Sequence, residues 1–272
     1  MSTHVQLASL LEVAAPKAGN VSPGRDFADM TYGDLVRSAL ALGPVFASER
    51  VRGSSVGELI GDGVRATTCV TRANTNLGIV LLFAPLARAA VTRSAGESLR
   101  EAVQRTLAGL TTRDAAAAFE AIVLAAPGGL GDAPDHDVRA PVRVTLREAM
   151  AAAANRDLIA SEYTSDYAIV FDEALPLLTA ALDAGAATLD AIVTVHVGLL
   201  AAHPDTLIAR KAGIEAAAMV MTAAREVRDG TRALADLDAR LRADGHRLNP
   251  GATADLVAAT VLAALTTDVP LP

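Results

Sequence analysis

The chain has 272 residues, of which 51% are apolar but only 3% aromatic and none tryptophan, so it can bury a large core built mainly from Ala, Leu, Val and Ile. A net charge of −7 argues against broad binding to nucleic acid or to anionic membranes, because both need a positive surface field. The single cysteine, Cys69, excludes an intramolecular disulfide and suits a reducing cytoplasm, the expected location.

Apolar spacings of three and four recur along the chain and predict an all-α fold. No linker composition divides it, so a single compact multi-helix domain over residues 1–272 is expected. The first helix is expected over 3–15; no Lys or Arg precedes its apolar run and Glu12 interrupts it, which argues against a secretory signal. A turn-rich stretch, Pro16 to Met30, follows. Thr31 with Asp34, and Ser55 with Glu58, have the spacing of capping boxes, and Leu35, Val36, Ala39 and Leu42 then share one helix face. Leu77–Ala90 is the most hydrophobic segment; it contains Pro85 and Arg88, is too short to cross a bilayer and predicts a buried helix.

Further helices are expected over 96–107, 111–125, 143–153, 165–184, 205–228, 231–244 and 253–266, with Ala126–Pro141 as an interhelical loop. The only strand-like stretch is Arg139–Leu146. Thr188 opens a helix whose Leu189, Ile192, Val193, His196 and Leu199 form a stripe, where His196 reads as a hydrogen-bonded core residue rather than a ligand. No repeat of fixed period is present.

Chemistry-bearing residues gather at helix entrances. Among the 24 basic residues all but Lys17 and Lys211 are arginine, and both lysines stand near glycine, in PKAGN and ARKAG. Two readings stand: accidental survivors of an arginine bias, or point charges for a phosphate that glycine lets approach closely. Asp26 and Asp29, three apart, share a face if the chain there is already helical, and with Lys17 and Arg25 they could hold Mg²⁺ against a polyphosphate; the plain alternative is a solvated capping turn. RANTNLG, Arg72 to Gly78, leads into the apolar segment, its amides being caps or donors facing a cleft. HPDTLIARKAG repeats the pattern: Asp205 or Thr206 caps, and Arg210 and Lys211 follow. NPGATADL, Asn249 to Leu256, offers the amides of Gly251, Ala252 and Thr253 as an anion site, with Asp255 one turn in. No P-loop, Rossmann fingerprint, zinc spacing or nucleophile elbow is present.

In this order, these stretches resemble the triphosphoribosyl-dephospho-CoA synthase family. Pro16-Lys17-Ala18-Gly19-Asn20-Val21 with Asp29-Met30 is similar to its P-K-P-G-x-V and D-M. Asn74-Thr75-Asn76-Leu77-Gly78 is similar to N-T-H-K-G. Asp205-Thr206 with Arg210 and Gly213 is similar to D-T followed by R and G, and Asn249 to Leu256 to S-P-G-G-S-A-D-L.

The resemblance implies an all-α transferase in which ATP loses adenine and its ribose C1′ passes to the 2′-hydroxyl of 3′-dephospho-CoA, the triphosphate staying on the product. It implies catalytic carboxylates among Asp26, Asp29 and Asp205 and nucleotide contacts from Lys17, Gly19, Arg25, Asn74, Asn76, Thr206, Arg210, Lys211, Gly251 and Thr253. It implies Mg²⁺ at Asp29 and Asp255. ATP and a coenzyme-like acceptor are the expected partners, nucleic acid and membrane are not, and a homo-oligomer is compatible with it.

Asn76 and Leu77 stand where the family has His-Lys, which leaves room for a changed acceptor, such as another coenzyme or a pterin-type carrier. A hydrolase of an N-glycosidic bond and a non-catalytic nucleotide-binding protein are the competing functions.

Overall fold

The computed structural model describes residues 1–71, 76–125, 143–267, 269 and 271. Its elements in chain order are α1 (Ser2–Ala14), α2 (Tyr32–Val45), α3 (Ser48–Gly53), α4 (Val56–Thr68), α5 (Leu77–Thr92), α6 (Leu99–Ala108), α7 (Thr112–Ala125), α8 (Leu146–Ala151) and α9 (Leu158–Ser165). A short π-helix, Ile169–Ala174, leads into α10 (Leu175–Asp183). After it come α11 (Thr188–Ala202), α12 (Thr206–Ala212), α13 (Ile214–Arg228), α14 (Leu234–Arg242) and α15 (Gly251–Leu265). Among the described residues there is no strand, only the isolated bridges Ser22–Arg25 and Phe27–Met30. The fold is all-α, as its apolar period predicts. The strand-like reading of Arg139–Leu146 lies outside the described residues up to 142; beyond that, Thr145 caps α8 and Leu146 begins it. The expected loop at 126–141 lies outside them altogether.

Local signals set most helix starts. Thr31 with Asp34 and Ser55 with Glu58 form reciprocal capping boxes, and so do Ser98 with Glu101 and Thr145 with Glu148. Two helices are apolar on every side and therefore sit inside: α5 buries Ile79 through Ala87, and α15 buries Leu256 through Ala264. They pack on each other, with α1, α4, α6 and α11 around them. A smaller apolar cluster joins Ala18, in the stretch after α1, to Leu200, Ile208, Val220, Leu237 and Leu241 from α11 to α14. Among the described residues no single helix is long and apolar enough to cross a membrane.

Pro85 has no N–H to give to the carbonyl of Leu81 one turn back. The buried Tyr163 hydroxyl donates to that oxygen at 2.6 Å, and Tyr167 donates to Leu82 O at 2.8 Å. Phenols from α9 and the turn after it thus complete the backbone pairing of α5.

Two expected helices are broken. The 205–228 segment divides at Gly213, whose φ of 96° is left-handed territory that glycine enters without strain. The 165–184 segment opens with Asp166 and Tyr167 at φ 56° and 61°, followed by the π-helix. Here Glu162, wholly buried, accepts from Ile169 N (3.1 Å), Val170 N (3.0 Å) and Ser165 Oγ (3.3 Å), so its carboxyl supplies the acceptors that the broken helix lacks.

Burial pushes Glu162 up to about 7, against the lowering effect of those donors. The unfolded chain therefore releases this proton at lower pH than the folded chain does. Stability is expected to fall by on the order of 3 kcal/mol as pH rises from about 4.5 to about 7, and to level off above that. In Glu162→Gln that part of the pH dependence should disappear. Melting curves across the window check this, and equal slopes in both proteins would contradict it.

Candidate active site

The N-terminus of α15 begins at Pro250 without a side-chain cap of its own. The acceptor comes from another helix. Asp205, 0% exposed, caps α12 through Oδ1, which accepts from Leu207 N (2.9 Å) and Ile208 N (3.0 Å). Its Oδ2 accepts from Thr253 N and Thr253 Oγ1, both at 2.8 Å. One carboxylate thus fastens two helix entrances together. Two of the three expected free amides are therefore taken: Thr253 N by Asp205, and Gly251 N by Asn249 O at 2.9 Å. The anion at this helix end is the protein's own, and Asp205, expected as a catalytic group, already has its oxygens bonded.

The opening stretch packs on the same entrance. Gly19 has φ 74°, and a Cβ there would lie 2.8 Å from Leu241 Cβ and 3.0 Å from Pro250 Cδ, so only glycine lets the turn reach α14 and Pro250. Asn20 Nδ2 donates to Asn249 Oδ1 at 2.7 Å. Gly19 N donates to Asp238 Oδ1 at 2.8 Å, and Arg242 Nε reaches the same oxygen at 2.9 Å while Arg25 pairs with Oδ2. Arg242 also lies over the Phe27 ring at 5.1 Å.

Asp26 and Asp29 do not share a helix face, because two bridged turns, closed by Gly24 at φ 76°, replace the helix. Asp26 Oδ1 accepts from Tyr32 N at 2.6 Å, and Asp29, largely exposed, pairs with His246 Nδ1 at 3.0 Å. Lys17 is 1% exposed. Its Nζ meets Glu12 Oε1 at 2.8 Å and donates to Glu12 O and to Ala15 O (3.4 Å), closing the C-terminal end of α1 rather than facing outward.

The α5 entrance meets α15 closely at Gly78. A Cβ on Gly78 would stand 1.9 Å from Asp255 Oδ2, so the carboxylate lies directly on the glycine backbone. Asp255 has neither a hydrogen bond nor an ion pair among the described residues. Burial first, then the charges of Glu12, Asp205 and Asp157, push its pKa well above the carboxylate range, with Arg210 acting against them.

Asn76 is 3% exposed, and Asn74 lies outside the described residues. Thr206 Oγ1 accepts from Leu158 N at 3.3 Å, and Arg210 stands 4.0 Å from Asp157 Oδ2, the cap of α9. Lys211 is half-buried; desolvation lowers its pKa, while Asp29 and Asp205 oppose that.

Glu12, Asp157, Asp238 and Arg242 were not singled out by the sequence. Asp157 carries a usable signal, a capping residue before the apolar LIA run; Glu12 shows itself only as a carboxylate inside an apolar helix face. His196 is fully buried as expected, but among the described residues neither ring nitrogen has a hydrogen-bond partner. Burial, then Lys17, lowers its pKa to about 3 and keeps it neutral.

Three of the four glycine-marked stretches, as far as they are described, thus converge on the fourth, around a buried carboxylate in a body made only of helices. Such a body, with that order of motifs, defines an all-α transferase. The chain belongs to the CitG family of ATP:dephospho-CoA triphosphoribosyl transferases, whose sequence model matches residues 1–269. It is similar to a crystal structure from Archaeoglobus fulgidus assigned as a triphosphoribosyl-dephospho-CoA synthase. That likeness has a TM-score of 0.69 at 27% identity, over 86% of this chain and 99% of the other. No curated protein matches the sequence.

Proposed function

We propose that the α15 entrance is where the triphosphoribosyl group of ATP is moved to the 2′-hydroxyl of dephospho-CoA. The observation that carries this reading is Asp255, a carboxylate of raised basicity that lies on Gly78 and has no partner among the described residues. In the reaction the bond from ribose C1′ to the adenine nitrogen breaks, a bond from C1′ to the acceptor oxygen forms, and the hydroxyl proton must leave. A carboxylate whose proton affinity lies above the usual range is suited to take it. As adenine departs, positive charge grows on the ribose ring, and the acidic surroundings of Asp255, with Asp157 and Glu12, favour that charge.

Arg210 and Lys211, on the last turn of α12, supply cations for the triphosphate. Mg²⁺ bound with a nucleotide takes one or two protein carboxylates and completes its shell with phosphates and water. No group of three or more His, Cys, Asp or Glu among the described residues is placed to share a metal, so a nucleotide-borne ion is the form that fits. Asp29, exposed and close enough to act on Lys211, would hold it on the triphosphate side, which leaves Asp255 free as proton acceptor. When bound, the ion would neutralise phosphate charge.

Incubation of the purified protein with ATP, Mg²⁺ and dephospho-CoA tests the reading. Adenine release that requires the acceptor, with a product carrying the added triphosphoribosyl mass, is the expected result. Adenine release without acceptor means a hydrolase, and tight ATP binding with no release means a non-catalytic protein.

A further inference from the structure

Asn76 opens α5, a position at which asparagine usually accepts a hydrogen bond from an amide of the first turn. Here it makes no such capping bond. Its Nδ2 is buried and, among the described residues, has no hydrogen-bond partner. A buried donor without an acceptor is destabilising, and in native proteins such groups are few and call for an explanation. Two residues further on, Gly78 carries the Asp255 carboxylate on its backbone, and among the described residues that partly buried carboxylate has no hydrogen-bond or ion-pair partner. An orphan donor and an orphan acceptor therefore stand at the same helix entrance.

The chemistry of that pair selects its ligand. A phosphate oxygen has no hydrogen to give Asp255 and would meet like charge from Asp205 and Asp157. A hydroxyl is both donor and acceptor and satisfies both groups at once. In a nucleotide only the ribose hydroxyls combine both roles at a single oxygen; the adenine edge divides them between two atoms.

We propose that Asn76 and Asp255 together bind one ribose hydroxyl, Asn76 donating to its oxygen and Asp255 accepting its hydrogen, so that Asn76 sets the preference for a hydroxylated over a deoxy substrate. The inference rests on the nucleotide-transfer reading above and assigns the substrate group that this corner of the site receives. The hydroxyl belongs either to ATP or to the acceptor nucleoside.

Calorimetric titration separates these sources and needs no turnover. ATP, 2′-deoxy-ATP and 3′-deoxy-ATP form one arm, dephospho-CoA and its 2′-deoxy analogue the other, each titrated into wild type, Asn76→Leu and the isosteric Asn76→Asp. In one arm the wild type is expected to prefer the hydroxylated ligand by about 10- to 100-fold, and both variants to reduce that preference to about threefold or less. Because Asn76→Leu removes an unmatched buried donor, its melting temperature should be unchanged or higher. Equal discrimination in wild type and both variants, or no binding of any of these ligands, would overturn the proposal. If Asn76→Leu does not fold, the discrimination measured with Asn76→Asp decides. Asn76-dependent discrimination in a protein that transfers nothing would sink the transferase reading and leave this one standing.

Discussion

Gly78→Ala is expected to lower the transfer rate by at least about 100-fold while leaving the helical spectrum intact. The new methyl group would stand 1.9 Å from Asp255 Oδ2, so either the carboxylate rotates away or the α5 entrance moves back from α15. Displacing a reacting group by about 1 Å is enough for a loss of that size. Asp255→Asn, which keeps the shape but removes the proton acceptor, should be about as inactive. The two differ in melting temperature: Gly78→Ala lowers it through strain, whereas Asp255→Asn leaves it unchanged or raises it, because a partly buried carboxyl without a partner among the described residues, set among other acidic groups, is replaced by a neutral amide. Turnover assays with melting curves check both, and a Gly78→Ala enzyme within twofold of wild type would remove the α5–α15 contact from the site.

The largest effect on stability is expected at Asp205. Asp205→Ala would leave Leu207 N, Ile208 N, Thr253 N and Thr253 Oγ1 without their acceptor inside the protein, at a cost of about 3–5 kcal/mol. Asp205→Asn should fall between, since a single amide oxygen cannot serve both helix ends and its NH₂ would oppose a donor. Denaturant midpoints give the order wild type, Asn, Ala. If Asp205→Ala kept its midpoint and lost only turnover, the group would be catalytic and the clasp between α12 and α15 would carry little stability.

These two sites show what the sequence makes legible and what it hides. Capping boxes at Thr31 and Ser55 depend on residues three apart, so they can be read before any fold is known. The burial of α5 follows from a run without polar interruption. Asp205 also shows its local role, the cap of α12. Its second role joins it to Thr253, and nothing in the neighbourhood of either residue signals the other. Lys17 near glycine resembles a phosphate contact until Glu12, in the last turns of α1, is seen to hold it. Asp26 and Asp29 have helical spacing, but Gly24 turns the chain before a helix begins. The meeting of the stretches could be anticipated from their order only by resemblance; the contacts among Gly19, Pro250, Gly78 and Asp255 are long-range and belong to the packed chain.

The two phenols that complete α5 also make the interior optically distinct. The chain has no tryptophan and three tyrosines, and Tyr163 and Tyr167 are both fully enclosed, each bonded to a main-chain oxygen of the same helix. Tyrosine fluorescence and near-ultraviolet dichroism will therefore be dominated by one seam, where α5 meets α9 and the turn after it. The third ring, Tyr32, follows the opening turns, where its amide donates to Asp26, so it adds a smaller signal from that region. Rearrangement near the Asp205 clasp, far from all three rings in sequence, can pass without an optical trace and needs an introduced fluorophore to be seen.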